Sequence, residues 1–187
     1  MQATLDTTAK ESPREVVAFW RDAGMGKWFN GGEAFDAECR KRFLEAHFQA
    51  ARRECESWLD DAEGALALVL LLDQIPRNVF RGSAHAFATD GLAREVARRA
   101  LDSGFDQRID PPLRLFFYMP FEHSEDMADQ DRAVALFTAM GDAGYLHYAV
   151  AHRDAIARFG RFPHRNAALG RISTPEEVAW LEAGGGF

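Results

Sequence analysis

The helix-or-strand question for this chain turns on Ala65-Leu66-Ala67-Leu68-Val69-Leu70-Leu71-Leu72-Asp73-Gln74-Ile75-Pro76. An unbroken apolar run is buried on every side, and periodicity does not separate a buried helix from a buried parallel strand. The richness in Leu and Ala, with helical patterns on both flanks, favours a helix. Asp60 or Asp61 is placed to cap its start, and Pro76 is placed to stop it. The apolar run is 8 residues long, far below the ~20 that a membrane span needs.

The pattern outward from this run is helical as well. Glu33 to Trp58 reads as one long helix, with Phe35, Cys39, Phe43, Ala46, Ala50 and Trp58 at helical spacing. Arg40, Lys41, Arg52, Arg53 and Glu56 form its solvated side. Before it, Ser12-Pro13-Arg14-Glu15 is a capping box with proline at the first helical position. It opens a short helix through Val16, Val17, Phe19 and Trp20, and Trp28-Phe29 then plugs the core. Downstream, Thr89 and Asp90 open a helix that ends at Ser103-Gly104. Asp110-Pro111 caps another, which Pro120 breaks or kinks. A helix from about Glu125 to Met140 carries acids in its first turn, where the macrodipole favours them. Asp142 to Phe159 turns Leu146, Val150, Ile156 and Phe159 inward, and Gly160 and Pro163 end it. Thr174-Pro175-Glu176-Glu177 is a second capping box. The expected fold is all-α, with about eight helices packed as layered hairpins. It forms one domain over 1–187, with 1–11 as a flexible leader.

Composition narrows the function classes. The chain has 187 residues, 47% hydrophobic and 12% aromatic, an ordinary globular profile that excludes a disordered chain. The N-terminus has neither a basic region nor an apolar one and is no secretory signal. Net charge is −7, which argues against nucleic-acid binding through phosphate neutralisation. Cys39 and Cys55 stand 16 positions apart in one expected helix. Their α-carbons would lie roughly 24 Å apart at about 1.5 Å per residue, and a disulfide needs less than about 7 Å. Unpaired thiols point to a reducing cytoplasm. Of the 22 basic residues only 3 are Lys, and the arginine fork suits carboxylate and phosphate.

Three segments place polar groups where a plain bundle would not need them. In Asp73-Gln74-Ile75-Pro76-Arg77-Asn78-Val79-Phe80-Arg81, a carboxylate ends the most apolar helix and must be paired, with Arg77 and Arg81 near in sequence. It is either a structural lock or a site carboxylate. In Tyr118 to Asp131, five carboxylates and His123 follow a helix break. Glu122 and His123 are adjacent and cannot share one helix face, which argues against a metal site there. From Arg153 to Arg171 there are five arginines on a backbone broken by Gly160, Pro163 and Gly170. They make either an anion cradle or counter-ions for the acidic segment. Pro76-Arg77-Asn78 and Pro163-His164-Arg165-Asn166 each follow a helix end and could set Arg and Asn at the same end of the bundle.

The chain resembles the bacterial DUF924 family. The strings that carry the resemblance are LALVLLLDQIPRNVFRGSAHAFATD (66–90), FFYMPFEHSEDMADQ (116–130) and FGRFPHRNAALGRISTPEE (159–177), with Phe19-Trp20 and Trp28-Phe29 before them. Met119 and Ile75 stand where the family more often has Leu and Phe. The resemblance implies a TPR-like helical fold and a set of signature polar positions. It implies no reaction, substrate or cofactor.

Three readings are open, one of them a purely structural polar network with the function elsewhere. The first is a soluble binding module that presents a groove to a protein or peptide. The alternative is a small enzyme or receptor for a phosphate- or carboxylate-bearing molecule, bound by Asp73, Arg77, Asn78, Arg81, Arg161, His164, Arg165 and Asn166. His123 or Glu125 would move the proton. No cofactor, metal, nucleic acid or membrane is expected. Nucleophile elbows, Walker loops, dinucleotide fingerprints and HExxH are absent.

Overall fold

The structure is a computed structural model and describes residues 11–187. The expected leader lies outside the described residues, apart from Glu11. The described residues contain helices, turns and loops, and no strand. The chain is all-α.

Local signals explain most boundaries. α1 (Pro13–Ala23) opens with the capping box: the Glu15 N–H donates to Ser12 Oγ, and the Ser12 N–H donates to Glu15 Oε2 at 2.7 Å. The single turn α2 (Met25–Trp28) buries Trp28 against Phe116, ring centres 5.0 Å apart. Phe29 instead stands 52% exposed and does not plug the core, since the turn before α3 points it outward. α3 (Gly32–Ala51) buries Phe35, Cys39, Phe43, Ala46, His47 and Ala50. It stops at Ala51, seven residues before Trp58, because the chain reverses through Arg53 at φ 61°. Cys55 therefore lies beyond the helix, and both cysteines are buried.

The apolar run is helical, but Pro76 does not stop it. α4 (Ala62–Val69), capped by Asp61, continues through a π turn (Leu70–Gln74) into α5 (Ile75–Val79). The Ile75 N–H reaches back to the Leu70 carbonyl, and this wider turn accommodates a proline that has no donor. The carbonyls loosened from the regular ladder find side chains. His47 Nδ1 meets the Leu71 carbonyl at 2.8 Å, Thr89 Oγ1 donates to that of Leu72, and Arg77 Nη1 to that of Asp73 at 2.6 Å. This satisfies groups that would be costly if left bare in the core. Thr89 stands at the N-cap of α6 as expected, but its hydroxyl is engaged here and makes no capping bond.

Next come α6 (Asp90–Asp102), α7 (Pro111–Arg114) and α8 (Met119–Glu122). Pro120 again sits at the start of a helical turn, after a 3-10 stretch (Leu115–Phe117). α9 (Met127–Met140) and α10 (Ala143–Phe159) pack on each other across a left-handed Gly141. Val150 of α10 faces solvent, not the interior. α11 (Pro175–Glu182) opens with the second capping box.

The main core centres on Trp20, Phe43, Leu66, Leu70, Phe116, Phe117 and Phe121. A smaller one gathers Ala155, Ile156 and Phe162, with Met127 and Trp180 against it. α4 packs so tightly on the preceding turn that a Cβ at Gly64 would run into the Trp58 carbonyl group. Gly64→Ala therefore destabilises by about 1–3 kcal/mol, read as a melting temperature about 5 °C lower. An unchanged value would mean the turn shifts without cost.

Candidate functional site

The site grows out of the π turn. Asp73 is fully buried there and faces three donors: His123 Nδ1 at 2.8 Å, Gln74 Nε2 at 2.7 Å and Arg77 Nη1 at 3.2 Å. Burial alone would raise its pKa, but Arg77 and then His123 overcome that and hold the carboxyl below its ordinary range. The His123 pKa is lowered as well, which for an imidazole favours the neutral form. Burial and then Arg77 disfavour its cation and push its pKa down. A neutral imidazole facing a carboxylate donates from Nδ1, so the lone pair sits on Nε2. Nε2 has no hydrogen-bond partner among the described residues. The turn that carries His123 is fixed from α9, where the buried Gln130 amide donates to the Glu122 and Ser124 carbonyls, both at 2.6 Å.

Arg77 forks onto Asp90 at 2.8 and 3.0 Å, and Arg165 reaches the same carboxylate at 3.3 Å. The Arg165 guanidinium lies between the rings of Phe87 and Phe162, 4.5 and 4.6 Å from their centres. Burial and then the Arg77 charge pull its pKa down to about 10, so it stays a cation at neutral pH. Arg165 Nε and the adjacent His164 Nδ1 are buried without a partner among the described residues. Such groups cost about 1–3 kcal/mol each and are rare.

Glu122 and His152 complete the cluster. His152 Nδ1 donates to the Tyr148 carbonyl at 2.8 Å and lies 3.1 Å from Glu122 Oε1. Burial, then the Asp73 charge, push the Glu122 carboxyl up to about 8, so it keeps its proton at neutral pH. Burial and then His123 lower His152 to about 3, and burial and then Arg165 lower His164 to about 4. The cluster thus combines two guanidiniums, two carboxylates, a protonated carboxyl and neutral imidazoles.

The other expected residues lie around this centre in separate pairs. Glu125 accepts both nitrogens of Arg171, at 2.7 and 2.8 Å, and the Phe162 N–H at 2.9 Å. Burial would raise its pKa, but Arg171 and the Phe162 N–H lower it. It remains within electrostatic reach of Arg165. Arg161 forks onto Glu177, which also takes an N–H of Asn166 at 3.2 Å. Asn78 donates back to the Gln74 carbonyl, and Arg81 forks onto Asp36 at the surface. The two Pro-Arg-Asn turns bring their arginines together on Asp90, but their asparagines diverge. Among the described residues no group of three or more His, Cys, Asp or Glu side chains could hold a metal ion.

The family-model comparison matches residues 16–185 to DUF924, bacterial protein of unknown function. The chain belongs to the DUF924 family. A solved structure of a protein of unknown function from Agrobacterium tumefaciens, ATU0120, is 53% identical to it with a TM-score of 0.89. That match covers 91% of this chain and 97% of the other. No curated protein matches. Asp73, Arg77, Asp90, Glu122, His123 and Arg165 all fall within the matched residues.

Three members of the cluster escape a sequence reading. Asp90 looks like a helix opener, Glu122 like one of several solvated acids, and His152 attracts no notice. His152 carries a signal nonetheless: it stands three residues from both Ala149 and Ala155, on the apolar face of α10.

The Glu122 pKa implies a slope in stability. Its folded value lies above that of a free carboxyl, so between the two the unfolded chain releases its proton first and stability falls as pH rises. The buried histidines act in the opposite sense, but only below about pH 6.5. Between pH 6.5 and 8 the fall is therefore up to about 1.4 kcal/mol per pH unit. Chemical denaturation at several pH values measures it. Glu122→Gln should flatten that slope, and a slope equal to wild type would show that Glu122 ionises freely.

Proposed function

We propose that the protein binds a small carboxylate- or phosphate-bearing molecule at this cluster and moves a proton on it. The observation that carries the reading is the Asp73–His123 pair. A buried carboxylate fixes the ring through Nδ1 and leaves Nε2 as a base. Glu122, next in the chain, keeps a proton to give, so neighbouring groups with pKa values driven apart hold the two opposite roles. Arg165 supplies the positive charge, and its unpartnered Nε together with His164 is ready for an anion. Glu125, closed in its pair with Arg171, is the weaker proton carrier of the two acids. The packing of α9 on α10 supports reading the layers as TPR-like.

Mass spectrometry of small molecules released from natively purified protein tests the reading. An anionic metabolite should be enriched in wild type and missing from Arg165→Met. Equal profiles from the two, with phosphate and acetate leaving the wild-type melting temperature unchanged, would refute it.

The partner-binding reading draws on another place. A concavity of about 270 Å³ lies between α1 and α3, lined by Phe19, Phe35, Lys27 and Glu38. Met25, in α2, stands 60% exposed. If a peptide partner docks there, Lys27→Glu weakens that complex and leaves anion binding unaltered.

A further inference from the structure

Phe187 is placed where a side chain of the fold has little reason to be. Its ring stacks on His152 with centres 3.5 Å apart and planes 17° apart. The edges of Phe162 and His164 surround it at 6.1 and 5.7 Å. The residue is nevertheless 48% exposed and is not part of the core. It hangs on Gly184-Gly185-Gly186, with φ of 87° at Gly184 and 117° at Gly186, backbone that favours glycine. The surface under it is an aromatic floor beside the anion-binding side chains, since His164 and Arg165 are neighbours in the chain and Arg165 packs on the other contact, Phe162.

We propose that Phe187 occupies a ring subsite of this site: the ligand carries a flat aromatic or heteroaromatic ring next to its anionic group, and displaces Phe187 to stack on His152. This rests on the anion-site reading above and specifies its substrate class. Three features support it. The His152 ring is neutral and presents its face, as a stacking partner does. The glycine tether allows the Phe187 ring to leave without moving α11. Phe187 is held by ring contacts alone, to His152, Phe162, His164 and Trp180, with no charged anchor, so a ligand with a second anchor on Arg165 displaces it by joining two contacts in one molecule.

The test compares wild type with Phe187→Ala by calorimetric titration, using phenyl phosphate, inorganic phosphate and benzyl alcohol. Phe187→Ala should bind phenyl phosphate about tenfold more tightly than wild type, with inorganic phosphate unchanged. Phe187→Trp should bind phenyl phosphate no better than wild type. If phosphate binds but phenyl phosphate gains nothing in Phe187→Ala, the ring subsite is wrong and the anion site stands. If neither phosphate binds either protein, the anion site itself fails, and the subsite with it. Equal gains for benzyl alcohol and phenyl phosphate would show a greasy patch with no anion beside it, and would also overturn the proposal.

Discussion

Asp73→Ala should melt about 10 °C below wild type. The buried centre balances two guanidiniums, Arg77 and Arg165, against two carboxylates, Asp73 and Asp90. Removing one carboxylate leaves an uncompensated cation in the interior, and breaking a buried pair in this way costs about 3–5 kcal/mol. For a chain of this size each kcal/mol moves the midpoint by about 2–4 °C. The loss is not only electrostatic. The Gln74 amide and His123 Nδ1 lose their acceptor as well, and His123 loses the contact that orients it. A second change separates these effects. Adding Arg77→Met to Asp73→Leu removes the stranded charge and should recover part of the stability but not the orientation of His123. Asp73→Ala that melts with wild type would remove Asp73 from the network.

Arg165→Met should weaken binding of inorganic phosphate about 100-fold while the chain stays folded. Each hydrogen bond from a charged donor contributes about 1.5–3 kcal/mol, and two such bonds to an oxyanion correspond to that factor or more. The apolar stem of methionine can replace the packing between Phe87 and Phe162. Asp90 keeps both bonds from Arg77, so the structural loss is smaller than at Asp73. Arg165→Lys retains the charge without the planar fork and should fall between the two. Phosphate affinity equal to wild type in Arg165→Met, measured by titration calorimetry, would dismiss the cradle.

The helices were legible because their signals are local. Two capping boxes, the Asp caps at residues 61, 126 and 142 and the left-handed glycines at 141 and 160 all act over a few residues. The errors arise where tertiary contacts outweigh local rules. Pro76 ends a helix by itself, but side chains of α3, α5 and the residue before α6 take up the freed carbonyls and let the helix run on. Phe29 is apolar by type and exposed by position.

The site was half legible for the same reason. A carboxylate at the end of an apolar run demands a partner, and that logic alone finds Asp73 and Arg77. It does not say that His123, 50 residues away, is the other partner. It also assigns Asp129, Glu122 and Asp90 to a solvated face or a helix start, when all three are buried. Spacing along a chain carries no record of which helix ends meet, and the meeting of those ends changes the chemistry of each group.

The protonation state of His123 bears most directly on this account, and nitrogen NMR on protein labelled at histidine reads it between pH 6 and 8. The account predicts a neutral ring across that range, with hydrogen on Nδ1 and a bare Nε2, and in Asp73→Ala a ring that stays neutral but no longer holds its hydrogen on Nδ1 alone. A His123 that carries hydrogen on both nitrogens at neutral pH, or on Nε2 alone, would contradict it.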